Sequence, residues 1–81
     1  MNDFVARTPQ HLGSILRGYR CERKLTQHLV GSRCGLPQAA ISQIESDPTT
    51  TSLSRIYRIL EALDLELVIR HRGDGRGQTE W

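Results

Sequence analysis

Eighty-one residues, 37% of them hydrophobic, make one small domain at most, with a core that gains from assembly with a second copy. The net charge of +2 is mildly basic: compatible with a polyanionic partner, but too small to name one. No apolar run approaches the roughly 18 residues of a membrane span, and no signal-peptide pattern opens the chain, so a reducing cytoplasm is the expected compartment.

Residues 1–7 read as an N-terminal arm. Its Phe4 and Val5 either pack on the domain or extend from it. Thr8-Pro9 is a helix start, with Thr8 at the N-cap and Pro9 at the first helical position. Leu12, Ile15, Leu16 and Tyr19 then recur at helical spacing, and this helix is expected to end between Glu22 and Lys24. Thr26 caps a second helix running to about Arg33. A capping box needs Glu or Gln three residues on, where Leu29 stands instead, so Leu29 is either an exposed apolar residue or a partner contact. A third helix is predicted from Gln38 to Ser46, with Pro37 at its start, and 47–51 as a loop. A fourth runs from Ser52 to Leu63, with Leu53, Ile56, Tyr57, Leu60 and Leu63 as its inward stripe.

In Leu65-Glu66-Leu67-Val68-Ile69-Arg70 the periodicity switches to two, a strand pattern. A lone strand cannot satisfy its own backbone, and the chain offers no strong second one. Pairing with the same strand of another copy, through Leu65, Leu67, Val68 and Ile69, is the economical solution. The alternative is a helix that continues past Leu63. Residues 71–81, rich in glycine and charge, are expected to be a flexible tail in the free protein.

The middle of the chain holds the strongest pattern. Counting from Gln27, a tiny residue falls at Gly31 and a turn glycine at Gly35, with apolar Val30, Cys34, Leu36, Ile41 and Ile44 between and beyond. Two short helices that cross steeply need a small residue at the crossing, a glycine in the tight turn and apolar plugs in the crevice. The set predicts a helix-turn-helix, against the blander reading of a plain helical hairpin. Cys21 and Cys34 form no CxxC, and His11, His28 and His71 lack ligand spacing, so neither metal nor cofactor is expected. Cys34 reads as a small buried hydrophobe. A disulfide stays open, though nothing suggests a secreted chain.

Thr26-Gln27, Gly31, Gly35-Leu36, Gln38-Ala39-Ala40-Ile41-Ser42 and Ile44-Glu45 resemble the Xre/Cro-type helix-turn-helix domain. The Thr8 to Leu12 helix start, the Asp47-Pro48 loop with its threonines, the strand 65–69 and the terminal Glu80-Trp81 resemble one branch, the HipB-type antitoxins. The resemblance covers about residues 8–70 and the last two. It implies an all-α, lambda-repressor-like bundle of four or five helices (residues 8–70), with a short C-terminal strand pairing across a homodimer. It further implies a palindromic double-stranded operator, a HipA-type serine/threonine kinase toxin as partner, and a tail whose Glu80 and Trp81 dock into the toxin or mark the chain for degradation.

In that frame the third helix lies in the major groove. With Ile41 and Ile44 inward, Gln38, Ala39, Ser42 and Gln43 face the bases by helical period. Glutamine can pair with adenine N6 and N7, alanine can meet a thymine methyl, and serine can donate or accept. The family motif marks Gln38, Ala39 and Ser42 as base readers, while Pro37 departs from relatives that carry a polar or basic residue there. For phosphate, Gln27 at the start of the second helix is the first candidate, followed by Arg33, Arg17, Arg20 and Ser46. Glu45, an acid, reads as structural. A DNA-bound chain would sit on the nucleoid.

Two other functions fit the same residues: a stand-alone repressor without a toxin, and an interaction module that has lost DNA binding. An enzyme is the weakest class. No phosphate-cradling glycine loop and no nucleophile-base pair at motif spacing is present.

Overall fold

The computed structural model describes residues 3–72. Four α-helices follow one another: α1 Pro9–Glu22, α2 Gln27–Cys34, α3 Gln38–Ser46 and α4 Leu53–Ala62, with a 3₁₀ turn at Pro48–Thr50. The helix starts are chemically explicit. Thr8 Oγ1 accepts from the His11 N–H at 3.0 Å, Thr26 Oγ1 from the Leu29 N–H at 3.0 Å, and Ser52 Oγ from the Arg55 N–H at 3.1 Å. Each hydroxyl satisfies one of the donors a first helical turn leaves unpaired. Asp47 does the same for the 3₁₀ turn, accepting from both the Thr49 N–H (3.1 Å) and hydroxyl (2.7 Å). α3 starts at Pro37 without a side-chain cap.

The helix ends are as definite. Gly35 takes φ +72° after α2, and Lys24 and Asp64 take φ 59° after α1 and α4. At both of the latter an amide returns to the last helical turn, Leu25 N–H to Arg20 C=O (3.1 Å) and Leu65 N–H to Leu60 C=O (2.8 Å). The reversal at Asp64 excludes the continuous helix past Leu63. Residues 65–70 are not helical, and within the described single chain they form no strand.

The core is Leu16 from α1, Val30 and Leu36 from α2 and the turn, Ile41 and Ile44 from α3, and Ile56, Ile59, Leu60 and Leu63 from α4 and its end. α2 packs on α3 and α4, and α1 on α3 and the 3₁₀ turn. The α4 stripe differs from expectation. Leu53 (64% exposed) and Tyr57 (49%) face outward, and Ile59 takes the inward place. Cys34 packs at the core margin, and burial pushes its thiol pKa up. Both cysteines are free.

Two glycines set the approach of the helices. A Cβ on Gly31 would run into the Leu36 carbonyl oxygen, and one on Gly13 would meet the Glu45 carbonyl oxygen at 2.5 Å. Gly31 thus makes room for the backbone of the turn, with Ile41 of α3 only at ordinary contact, 3.5 Å. Gly13, unremarked in the sequence reading, lets α1 close on the end of α3.

Candidate nucleic-acid interface

α3 has one buried and one open side. Ile41, Ile44 and Glu45 are buried, whereas Gln38, Ala39, Ser42, Gln43 and Ser46 are exposed. The split follows from the period: residues 41, 44 and 45 share a face, and 38, 39, 42, 43 and 46 occupy the rest of the circumference. The four expected base readers therefore stand together on one solvent-facing surface.

Behind that surface runs a chain of polar contacts through three helices. Arg20 of α1 donates to both carboxylate oxygens of Glu45, from Nε to Oε2 at 2.6 Å and from Nη2 to Oε1 at 3.1 Å. Its Nη1 donates to the Leu25 carbonyl at 2.8 Å. Gln27 of α2 donates from Nε2 to Glu45 Oε1 at 3.1 Å, and Gln38 of α3 donates from Nε2 to Gln27 Oε1 at 3.3 Å. The side chains of Arg20 and Glu45 are 11% and 7% exposed. A bidentate, charge-assisted pair is strong where water is scarce, and these bonds to Glu45 push the Arg20 guanidinium pKa above its usual range.

Arg20, expected among the phosphate contacts, is held by Glu45 and the Leu25 carbonyl, with its side chain 11% exposed. The Ser46 hydroxyl donates to the Ser42 carbonyl at 3.0 Å. Arg17 and Arg33 are exposed. Gln27 stands at the first position of α2, with its side chain between Glu45 and Gln38. Sequence reasoning marked Glu45 as structural but missed its partner, because no local pattern pairs positions 25 apart.

Other expected sites are placed as follows. Leu65 packs against the core margin, while Leu67, Val68 and Ile69 are exposed at 47, 65 and 91%. Leu29 is exposed at 40%. Glu80 and Trp81 lie outside the described residues. Among the described residues no group of His, Cys, Asp or Glu could hold a metal ion, and no helix is long and apolar enough to cross a membrane.

The sequence profile of the helix-turn-helix family HTH_3 matches residues 8–69, which is α1 through the extended segment after α4. The chain belongs to the helix-turn-helix family. Among curated helix-turn-helix relatives, antitoxin HipB of Escherichia coli O6:H1 is 31% identical over 62 residues, covering 76% of this chain and 66% of the relative. The uncharacterized HTH-type transcriptional regulator y4dL of Sinorhizobium fredii is 35% identical over 65 residues, covering 80% of this chain and 33% of the relative. Among solved structures, HipB in a HipA-HipB-O2-O3 complex superposes with a TM-score of 0.80 at 25% identity, covering 90% of this chain and all of that one. The fold of this helix-turn-helix protein is thus that of HipB.

Proposed function

We propose that this chain is a sequence-specific repressor, acting on double-stranded DNA, and the antitoxin of a HipA-type serine/threonine kinase. The observation that carries the reading is the exposed α3 face, Gln38, Ala39, Ser42 and Gln43, backed by the buried Ile41 and Ile44. α3 enters the major groove and these four side chains meet base edges. Gln27, at the α2 N-terminus, with Arg33, Arg17 and Ser46, contacts phosphate. The bond from Gln38 to Gln27 sets the reading amide before DNA arrives and couples it to the phosphate contact.

Two copies join through Leu65, Leu67, Val68 and Ile69, paired as antiparallel strands, and Leu53 and Tyr57 are likewise exposed and available to a partner. Two-fold symmetry then calls for a palindromic operator. The tail residues Glu80 and Trp81 anchor the toxin or govern turnover. The likeness to HipB supports the antitoxin half. The likeness to y4dL, called an HTH-type transcriptional regulator, fits the repressor half, which a second reading, a repressor without a toxin, shares.

Co-purification with the product of an adjacent kinase-like gene, and mobility shift on the DNA upstream of its own gene, test both halves. Salt-sensitive binding to that DNA with no kinase retained leaves the second reading. No salt-sensitive binding to any duplex rejects the repressor.

A further inference from the structure

The extended arm, residues 3–7, and α1 enclose a groove of about 710 Å³. Phe4 and Val5 wall it on one side, and Ile15 and Tyr19 of α1 on the other. The arm is held at two points. The Arg7 N–H donates to His11 Nδ1 at 3.4 Å, and Phe4 meets Tyr19 edge-on, with ring centroids 5.6 Å apart and planes at 81°. Even so, Phe4 stays 61% and Val5 48% exposed. Fixing the arm costs backbone entropy, and side chains left this far in water return only part of it. Gly18 opens into the groove, and a Cβ built on it meets nothing within 4 Å, so an entering side chain has room.

We propose that this groove seats a second copy of the chain, through that copy's extended segment 65–70. The proposal rests on the strand-paired dimer read above and extends its contact to the arm. Position argues for it. Arg70 Nη1 lies 3.8 Å from Asp3 Oδ2, so the segment ends beside the arm, at the mouth of the groove. In an antiparallel pair the partner strand starts where this one ends. The second copy's chain thus arrives from its own α4 at that same mouth. The arriving surface is apolar: Leu67, Val68 and Ile69 are all exposed in the single chain, as are Phe4 and Val5 of the groove. Burying one set against the other removes both from water. Charge agrees as well. The arriving chain brings exposed Glu61, Asp64 and Glu66, whereas the mouth carries Arg70 and Arg23, the latter with its guanidinium carbon 5.1 Å from the Tyr19 ring centroid. Glu22, an acid in the lining, is followed directly by Arg23 and Lys24. Opposite charges that meet at an interface fix register and disfavour wrong pairings. Two-fold symmetry repeats the seat, so each arm closes on the other copy's segment.

The single phenylalanine makes the test direct. In a dimer mixed from isotope-labelled and unlabelled copies, isotope-filtered NOE spectra report only contacts between copies. Cross-peaks from the Phe4 ring to methyl groups of Leu67, Val68 or Ile69 are expected. Phe4→Ser with Val5→Ser strips the arm, and Gly18→Leu fills the groove while leaving the arm intact. Each variant is expected to raise the dimer dissociation constant about tenfold in sedimentation equilibrium, with helix content by circular dichroism unchanged. A dimer without those cross-peaks overturns the proposal, as does a dissociation constant within about twofold of the unaltered chain's in either variant. Slowed amide exchange at residues 65–69 reports the strand pairing separately. Protection there without Phe4 cross-peaks sinks the seat and keeps the strand. Cross-peaks with unprotected amides keep the seat and sink the strand. A chain that stays monomeric, or Phe4 signals that move only when DNA or a kinase is added, overturns the seat.

Discussion

Arg20 and Glu45 sit under the exposed face of α3 and bind α1 to α3. Removing one partner leaves a largely buried charge unpaired, which is costlier than the pair itself is favourable. Arg20→Met is therefore expected to lower unfolding stability by about 3 kcal/mol, read as a reduced urea midpoint at unchanged m-value. A further loss of operator affinity beyond what unfolding explains reports the slackened Gln27 and Gln38. On the surface itself, Gln38→Ala with Ser42→Ala is expected to cost about 1–3 kcal/mol per strong contact and to flatten discrimination at the bases they face. Binding-site selection on randomised duplexes checks this, and an unchanged preferred sequence rejects the assigned face. The exposed half of this site was readable from the spacing of Ile41 and Ile44. The buried half was not, because Arg20, Glu45 and Gln27 meet only once three helices have packed.

Helix boundaries were legible because their caps are local chemistry. Thr8-Pro9, Thr26 and Gly35 do at the backbone what their residue types announce. The α4 face was ambiguous for a physical reason. Leu53, Ile56, Tyr57 and Leu60 make one good stripe, and Ile56, Ile59, Leu60 and Leu63 another, about 60° of rotation away. Which one turns inward depends on where α2 lies, and a single helix cannot tell. The glycines divide by surroundings as well. Gly18→Ala is expected to raise stability by about 0.5–1 kcal/mol, since the site is open and alanine restricts the unfolded chain. The same change at Gly31 is expected to destabilise, because the added methyl collides with the Leu36 carbonyl. Paired thermal melts decide both signs. In the 3₁₀ turn, the Thr49 hydroxyl and amide hold the Asp47 carboxyl pKa below its usual range. The ionised form is thus favoured in the fold. Its stabilisation is complete above the unfolded pKa, near 3.9, and is lost as pH falls through the lower folded value. Asp47→Asn is expected to flatten that acid limb in a series of urea midpoints against pH.

For the molecule as a whole, Leu53, Tyr57, Leu67, Val68 and Ile69 form an exposed apolar set that a lone copy leaves in water. Ile69→Asp with Tyr57→Lys is expected to convert a dimer to monomer in sedimentation and to weaken palindrome binding far more than half-site binding. A dimer that survives the double change places the subunit contact elsewhere. In the proposed dimer the two α3 helices lie about 34 Å apart, one duplex turn, so inserting half a turn between operator halves is expected to abolish cooperative binding in footprinting. The sequence suggests a paired strand at residues 65–69 through its alternation and lack of an internal partner; the single chain is extended there and forms no strand among the described residues. The exposure of Leu53 and Tyr57 could be seen only once α4 had chosen its other face.

The bond between Gln38 and Gln27 also bears on reprogramming. A recognition surface is often treated as a cassette, to be lifted from one scaffold and grafted on another. Here Gln38, the first proposed reader, is braced by Gln27 of the neighbouring helix, and Gln27 by the Glu45 carboxylate at the far end of α3. Transplanting α3 by itself would carry the letters without the hand that steadies them. A working graft must move glutamines 27 and 38, together with Arg20 and Glu45, as one inheritable unit.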